Sequence, residues 1–301
     1  MKILVSGASG LVGSALIPQL ESAGHSVGRL VRPDSKSNTA RGQNIVWNPQ
    51  TGDFDLKAAA GADAVVHLAG ASIADGRWTA ERKALLRSSR VDATRQLLLG
   101  LAKLPQPPRT FICASAIGYY GNRGDEVLTE SSAPGNDFLA RLCQEWEAAA
   151  QGTERLGTRT VILRFGIILS LAGGALPRIM LPFRLGLGGK LGTGRQWTSW
   201  VALQDVIGLI LFALDHPDLH GPVNVVSPTP VRNWEFAGSL GQVMHRPSFF
   251  PTPAFLLRLA VGEMADSLLL SSQRVIPEEA TQAGYSCRYA SLGEALRAIV
   301  Q

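Results

Sequence analysis

Cysteine is scarce: Cys113, Cys143 and Cys287 are the whole complement of a 301-residue chain. No pair has metal or redox-motif spacing, and an odd count argues against a disulfide framework, so reduced, mostly core thiols are expected. Long apolar runs are lacking too. The best of them, VILRFGIILSLAGGAL, is interrupted by Arg164 and is too short to cross a bilayer. The sequence opens on a strand-like run with no signal-peptide pattern, so the cytoplasm is the expected location and no membrane partner is expected. There is no dense Lys/Arg run, no zinc-finger spacing and no aromatic RNA-binding signature, which leaves nucleic acid without a recognisable reader. His216 and His220 have helical metal spacing, but Pro217 and Gly221 make this a loop, so no metal site is expected. Acids are missing altogether between Arg155 and Gln204.

What is present describes an ordinary globular enzyme-sized chain. Hydrophobic residues make up 46% and charged ones 18%, and the net charge of +5 suits an anionic small molecule. Runs rich in β-branched residues, Ile3–Val5, Val27–Val31, Ile45–Trp47, Ala64–Leu68, Phe111–Ala114 and Val161–Phe165, alternate with helix-period stretches, Leu11–Ala23, Thr79–Ala102 and Leu139–Leu156. Alternating β and α units predict a doubly wound, Rossmann-like parallel sheet over residues 1–165. Segment 200–227 is expected to pack back on that sheet. The rest of 166–301, with helices near Trp234–Met244, Pro253–Val261 and Ser291–Val300, reads as a smaller, mostly helical substrate-binding part at the carboxyl edge, where ligands of open α/β sheets bind.

The first strand runs into Gly7-Ala-Ser9-Gly10-Leu11-Val12-Gly13 and then an amphipathic helix. Gly7 permits a tight turn, Gly10 lets backbone approach a pyrophosphate, and Gly13 lets helix and strand pack closely. The spacing predicts a dinucleotide-binding loop. At the end of the second strand, where an NAD site carries an acid for the ribose hydroxyls, stands Arg32, with Arg29 before it and Lys36 after it. A guanidinium suits a 2′-phosphate, so NADP is expected over NAD, although Asp34 lies close by. At the fourth strand's exit Ala69 and Gly70 are small enough to let backbone lie against the cofactor, and Leu68 beside them is a further cofactor-side candidate. His67, inside that apolar strand, reads as a satisfied core or wall residue rather than a catalyst.

The glycine loop, HLAG and SAIGYYG together resemble the extended short-chain dehydrogenases/reductases, relatives of nucleotide-sugar epimerases and dehydratases. LPFRLGLGGKLGTGRQWTSW, Asp205, GPVNVVSP and PVRNWEFA narrow this to an atypical subgroup of epimerase family proteins, some of them labelled cell division inhibitors. The resemblance covers the whole chain. It implies a catalytic Ser/Thr after the fifth strand, matched by Ser115, and then Tyr-x-x-x-Lys on the next helix, the Lys lowering the Tyr pKa. This sequence departs from the pattern. Placing Glu145 at the acid common four places after the Lys puts Arg141 and Asp137 at the Lys and Tyr positions; a slide by one gives Leu142 and Phe138. Tyr120 is the substitute candidate from its position near Ser115, Arg141 a candidate for the cofactor's ribose or phosphate, and Asp137 either a base or an exposed carboxylate at the helix start.

Seven bases, Arg155, Arg159, Arg164, Arg178, Arg184, Lys190 and Arg195, occupy the acid-free stretch. With its interleaved glycines it suits phosphate or carboxylate recognition, so Arg184, Lys190, Arg195 and the adjoining Trp197 are the substrate-side candidates. Trp200 reads as core and Asp205 as a capping carboxylate at a helix start. RWTAERKALLRSSR, with Arg77, Arg82, Lys83, Arg87 and Arg90, reads as a helix with an exposed basic face; Arg90 alone resembles a subgroup position, which would let it reach the cleft. The expected activity is that of an NADP-dependent oxidoreductase or epimerase-like protein acting on an anionic, hydroxyl- or carbonyl-bearing small molecule. The alternative is a silent NADP(H)-binding sensor. A homodimer is the expected assembly, if there is one.

Overall fold

The computed structural model describes residues 1–34 and 43–301; Lys36 lies outside the described residues. Seven strands form the central sheet: β1 (Lys2–Ser6), β2 (Ser26–Val31), β3 (Gln43–Val46), β4 (Ala64–His67), β5 (Thr110–Ala116), β6 (Arg159–Phe165) and β7 (Gly221–Val225). Their spatial order is β7-β6-β5-β4-β1-β2-β3 and every pairing is parallel. The chain winds outward from β1 to β3, then crosses to β4 on the other side of β1. The switch point therefore falls between β1 and β4, where a crevice opens beyond their carboxyl ends.

Strand alternation divides the core between the two faces of the sheet. Leu4, Val65, Phe111 and Cys113 point to one side, against α3 (Ala93–Leu101) and α4 (Phe138–Ala150). Ile3, Val5, Val66 and Ile112 point to the other, against α1 (Leu11–Ser22) and α6 (Leu203–Asp215). Burial on both faces is why these strands read as continuous apolar runs.

A third apolar cluster joins α5 (Leu176–Arg184), α7 (Asn233–Met244) and α9 (Leu292–Val300) around Trp200, which is fully buried, as core. α5 hides in the glycine-rich stretch of the sequence. It begins with a proline in its first turn, where a missing N–H is harmless, and buries Leu176, Met180 and Phe183.

The stretch 79–102 is not one helix. α2 (Ala80–Arg87) passes through a π-helical turn, Ser88–Asp92, before α3 begins. The turn directs Arg90 inward, where Nη2 donates to the Ala71 carbonyl at 2.9 Å and the guanidinium packs behind Gly70. Such bulges gather at functional sites.

Candidate functional site

Each glycine of the first loop is fixed by contact rather than by composition. Gly7 has φ +68°, and a Cβ on it would lie 2.8 Å from the Leu68 carbonyl at the exit of β4. On Gly13 a Cβ would meet the Gly7 carbonyl oxygen at 2.3 Å. Gly10 caps α1 without a side-chain hydrogen bond, and its own N–H turns back to Gly7. The first N–H groups of α1 are left pointing out of the loop, as an anion site needs. Ser9 is exposed at the tip; Leu11 faces Gly173 and Gly174 across the crevice, and Val12 is buried. Ala69 and Gly70 continue the β4 exit alongside. Exposed Arg32 and Asp34 lie beyond β2. The cradle thus fits a dinucleotide phosphate: its backbone lies close where a side chain would intrude, and the head of α1 has no side-chain cap on its N–H groups.

A buried polar chain underpins this floor. Trp146 Nε1–H donates to Thr94 Oγ1 at 3.0 Å, and the Thr94 hydroxyl donates to the Arg90 carbonyl at 2.6 Å. With that proton spent, the 3.1 Å contact between Thr94 and His67 requires His67 to donate from Nε2. His67 Nδ1 then accepts from Ser6 Oγ at 2.6 Å, and Ser6 Oγ accepts from the Leu68 N–H at 3.1 Å. The imidazole is neutral, and burial pulls its pKa down to about 4. His67 is a satisfied core residue, packed between Trp47 and Phe111, that sets the backbone of the β4 exit.

Ser115 and Arg164 are register partners across β5 and β6, so both side chains reach the same point above the sheet. That point is Glu147 on α4. Ser115 Oγ donates to Glu147 Oε1 at 2.6 Å, and Arg164 grips both carboxylate oxygens at 2.9 and 2.7 Å. Burial alone would lower the Arg164 pKa, but the hydrogen bonds and charge of Glu147 outweigh it and hold the guanidinium above its ordinary value. Arg164 Nη1 also donates to Tyr120 Oη at 2.9 Å, and Tyr120 donates to Asn224 Oδ1 at 2.7 Å. Tyr120 has no exposed surface, and burial pushes its pKa up to about 12. Both hydroxyls expected to act on a substrate are therefore committed to internal partners.

The same geometry corrects the helix register. Glu145 is a surface residue paired with Arg87, whereas Glu147 is the buried acid. Counting back in fours from Glu147 gives Cys143 and Leu139, and these face the β5 exit. A Cβ on Gly118 would lie 3.4 Å from Leu139 Cβ and 3.9 Å from Cys143 Sγ. Burial, followed by the Glu147 charge, pushes the Cys143 thiol up to about 12. No acid/base pair occupies this face of the helix. Asp137 is the N-cap of α4, accepting from the Ala140 N–H at 2.8 Å. Arg141 is exposed on the first turn and donates to the Asn136 carbonyl.

At the carboxyl edge, past the loop that follows β5, lies a cavity of about 670 Å³. Arg195, Arg232 and Arg258 line it, with Asn122, Asp125 and Ser272. Arg232 is paired with Asp125 at 2.7 Å and Arg258 with Asp266 at 2.9 Å. Among the described residues, none pairs with the Arg195 guanidinium. Trp197 stands behind the cavity wall; its ring carries Arg232 and Arg274 at 4.1 and 4.6 Å from its centroid. Of the bases expected on the substrate side, Arg195 lines this cavity; Arg184 ends α5 and Lys190 lies on an exposed ribbon. Arg232 and Arg258 were invisible to a search confined to the acid-free stretch, though both follow it within the same part of the fold. Asp205 does not cap its own helix. Its carboxylate accepts the N–H groups of Arg288 and Tyr289 at 2.6 and 3.3 Å, tying the C-terminal segment down, and burial raises its pKa.

Residues 3–226 match the model of the NAD dependent epimerase/dehydratase family, and residues 252–299 match a domain of unknown function, DUF1731. An epimerase family protein of Mycobacterium bovis is 42% identical over 98% of this chain and 96% of its own length. A chloroplastic epimerase family protein of Arabidopsis thaliana is 35% identical over 100% of this chain and 87% of its own. The crystal structure of human epimerase family protein SDR39U1 with NADPH superposes with a TM-score of 0.89 at 33% identity, covering 99% of both chains. UDP-glucose 4-epimerase of Thermotoga maritima, at 17% identity and a TM-score of 0.80 over 100% of this chain and 97% of its own, shares the fold.

Proposed function

The chain belongs to the NAD dependent epimerase/dehydratase family, and from that premise we propose that it binds NADP(H) and exchanges hydride with a small anionic molecule bearing a hydroxyl or carbonyl group. The observation that carries this reading is the glycine cradle of Gly7, Gly10 and Gly13 at the switch point, at the same edge of the sheet as the arginine-lined cavity. In this reading the cradle and the head of α1 hold the pyrophosphate, and Leu68–Gly70 back the cofactor. Arg32 faces the 2′-phosphate, Arg141 assists at the ribose or phosphate, and Arg195 meets the substrate anion. The NADPH in the human relative's structure supports the choice of NADP. When bound, the dinucleotide supplies the hydride donor or acceptor. Ser115 and Tyr120 act here as positioning groups: their hydroxyls hold Glu147 and Asn224 and so fix the loop after β5.

A second reading has its own observation. Leu139 and Cys143 occupy the helix face where an acid/base pair would stand, which favours a protein that binds NADP(H) and senses it without turnover. Deuterium tracing separates the two. The protein is incubated with NADPH deuterated on either face of C4 and with a small-metabolite extract. Deuterium in a product, lost on Arg195→Ala, supports hydride exchange. An epimerase that returns the hydride to its substrate would show a transient change in reduced-nicotinamide absorbance. Tight NADPH binding with neither signal favours the sensor.

A further inference from the structure

The outer wall of the cavity is unlike the rest of the surface. It is formed by α8 (Ala254–Val261), an apolar helix that buries none of its residues. Ala254 and Arg258, one turn apart, line the cavity. Phe255 and Leu259 stand one position further on, about 100° round the helix, on the face next to the one that lines the cavity. They are 65% and 70% exposed. Beside α8 runs a ribbon in which the Phe250 N–H donates to the Gly188 carbonyl and the Thr252 N–H to that of Lys190, at 3.1 and 2.9 Å. It adds Leu187 and Phe249, exposed by 57% and 72%. Large exposed apolar side chains on adjoining segments beside a cavity mark a binding surface rather than scattered surface apolarity. Neither the stretch from Arg155 to Gln204 nor that from Phe236 to Gly262 contains an acid, and with Arg232 held by Asp125 and Arg258 by Asp266, Arg195 is, among the described residues, the cavity cation left to meet an anion.

We propose that the substrate is an anionic amphiphile. Its phosphate or carboxylate head enters the cavity beside the Arg195 guanidinium, and its hydrocarbon tail lies across Phe255 and Leu259 towards Leu187 and Phe249. This rests on the cavity being the substrate site. Continuity decides the occupant: the apolar stripe and the cavity share one helix, so a single molecule with a charged end and an apolar end covers both.

The test uses the full chain loaded with NADPH, and n-butyl and n-decyl monophosphate below their micellar concentrations, with affinities read by calorimetry. Full burial of a methylene is worth about fourfold, and an open groove about half of that on a logarithmic scale. Six further methylenes should therefore strengthen binding on the order of fiftyfold. Phe255→Ser with Leu259→Ser, both exposed and so compatible with folding, should bring the decyl compound down to the butyl level. NADPH and butyl phosphate should bind the variant unchanged, and its melting point should match the parent. Equal affinities for the two phosphates, or a decyl affinity untouched by the double substitution, overturn the tail site. So does an effect seen only with phosphatidylglycerol vesicles, which would make the face a membrane dock. A dimer that the substitutions dissociate without changing decyl affinity would make it a subunit interface and overturn the proposal too. If neither phosphate binds while NADPH does, the cavity fails as the substrate site and the tail site fails with it.

Discussion

Glu147→Gln removes the charge that holds Arg164 and leaves a guanidinium with 3% side-chain exposure uncompensated between β6 and α4. Breaking one side of such a buried pair costs about 3–5 kcal/mol. For a chain of 301 residues the unfolding entropy near the midpoint is about 0.6 kcal/mol per kelvin, so the melting temperature should fall by about 5–8 °C. Ser115→Ala removes one hydrogen bond to a charged acceptor, worth about 1.5–3 kcal/mol, or about 2–5 °C. The two losses should not add, because Ser115 and Arg164 share Glu147. In the Glu147→Gln background Ser115→Ala should cost less than half of what it costs alone. The assay is reversible urea unfolding of the four proteins, with NADPH affinity measured on each. A Ser115→Ala protein that melts like the parent but loses hydride transfer would refute the positioning role and return Ser115 to direct contact with substrate.

Gly13→Ala drives a methyl group into the Gly7 carbonyl at 2.3 Å, so NADPH affinity should drop at least a hundredfold, by calorimetry, while Gly24→Ala, at a positive φ but with open space round it, should leave that affinity alone. Arg32→Ala should weaken NADPH about five- to thirtyfold and leave NADH unchanged; equal losses for both would remove Arg32 from 2′-phosphate recognition. His67 makes stability pH-dependent in a defined window. Its folded pKa of about 4 lies below the unfolded value of 6.5, so the unfolded chain takes up the proton first as the pH falls. The neutral ring's contribution is complete above pH 6.5, shrinks between 6.5 and 4, and is flat below; from pH 7 to pH 5 the loss should be about 2 kcal/mol in urea unfolding, and His67→Gln should abolish that portion.

The cradle could be read from the sequence because its logic is local: a turn, a close approach and a helix start lie within a few residues of one another. The strands were legible for the same reason, each being a short β-branched run buried on two faces. The grouping of Ser115, Glu147 and Arg164 was not, because it depends on the register between β5 and β6 and on which side of α4 faces them. One signal was available: Glu147 falls on the stripe of Leu139, Cys143 and Trp146 along an otherwise apolar helix face, where an acid must have a partner. The arginines of the cavity wall come from α8 and the segment before α7, far along the chain from Arg195, and composition could not join them. The π turn at Ser88–Asp92 left no mark on the helical periodicity around it.

The chain of hydrogen bonds from Trp146 through Thr94 and His67 to Ser6 makes the backbone under the glycine cradle stiffer than the wall of the arginine-lined cavity. The N–H groups of Leu68 and Ala69 end in that chain, so their exchange with solvent hydrogen requires opening β1, β4, α3 and α4 together, close to global unfolding. The outer wall of the arginine-lined cavity is α8, held by Arg77 donating to the Leu259 and Ala260 carbonyls and by the Lys83–Glu263 pair, with no buried side chain of its own. If the cavity is the substrate site, as proposed, ligand capture should cost little order at the cradle and most of its order at α8. Protection gained on binding should appear in the amides of α8, and the heat-capacity change of binding should report how much of its apolar face closes over the guest.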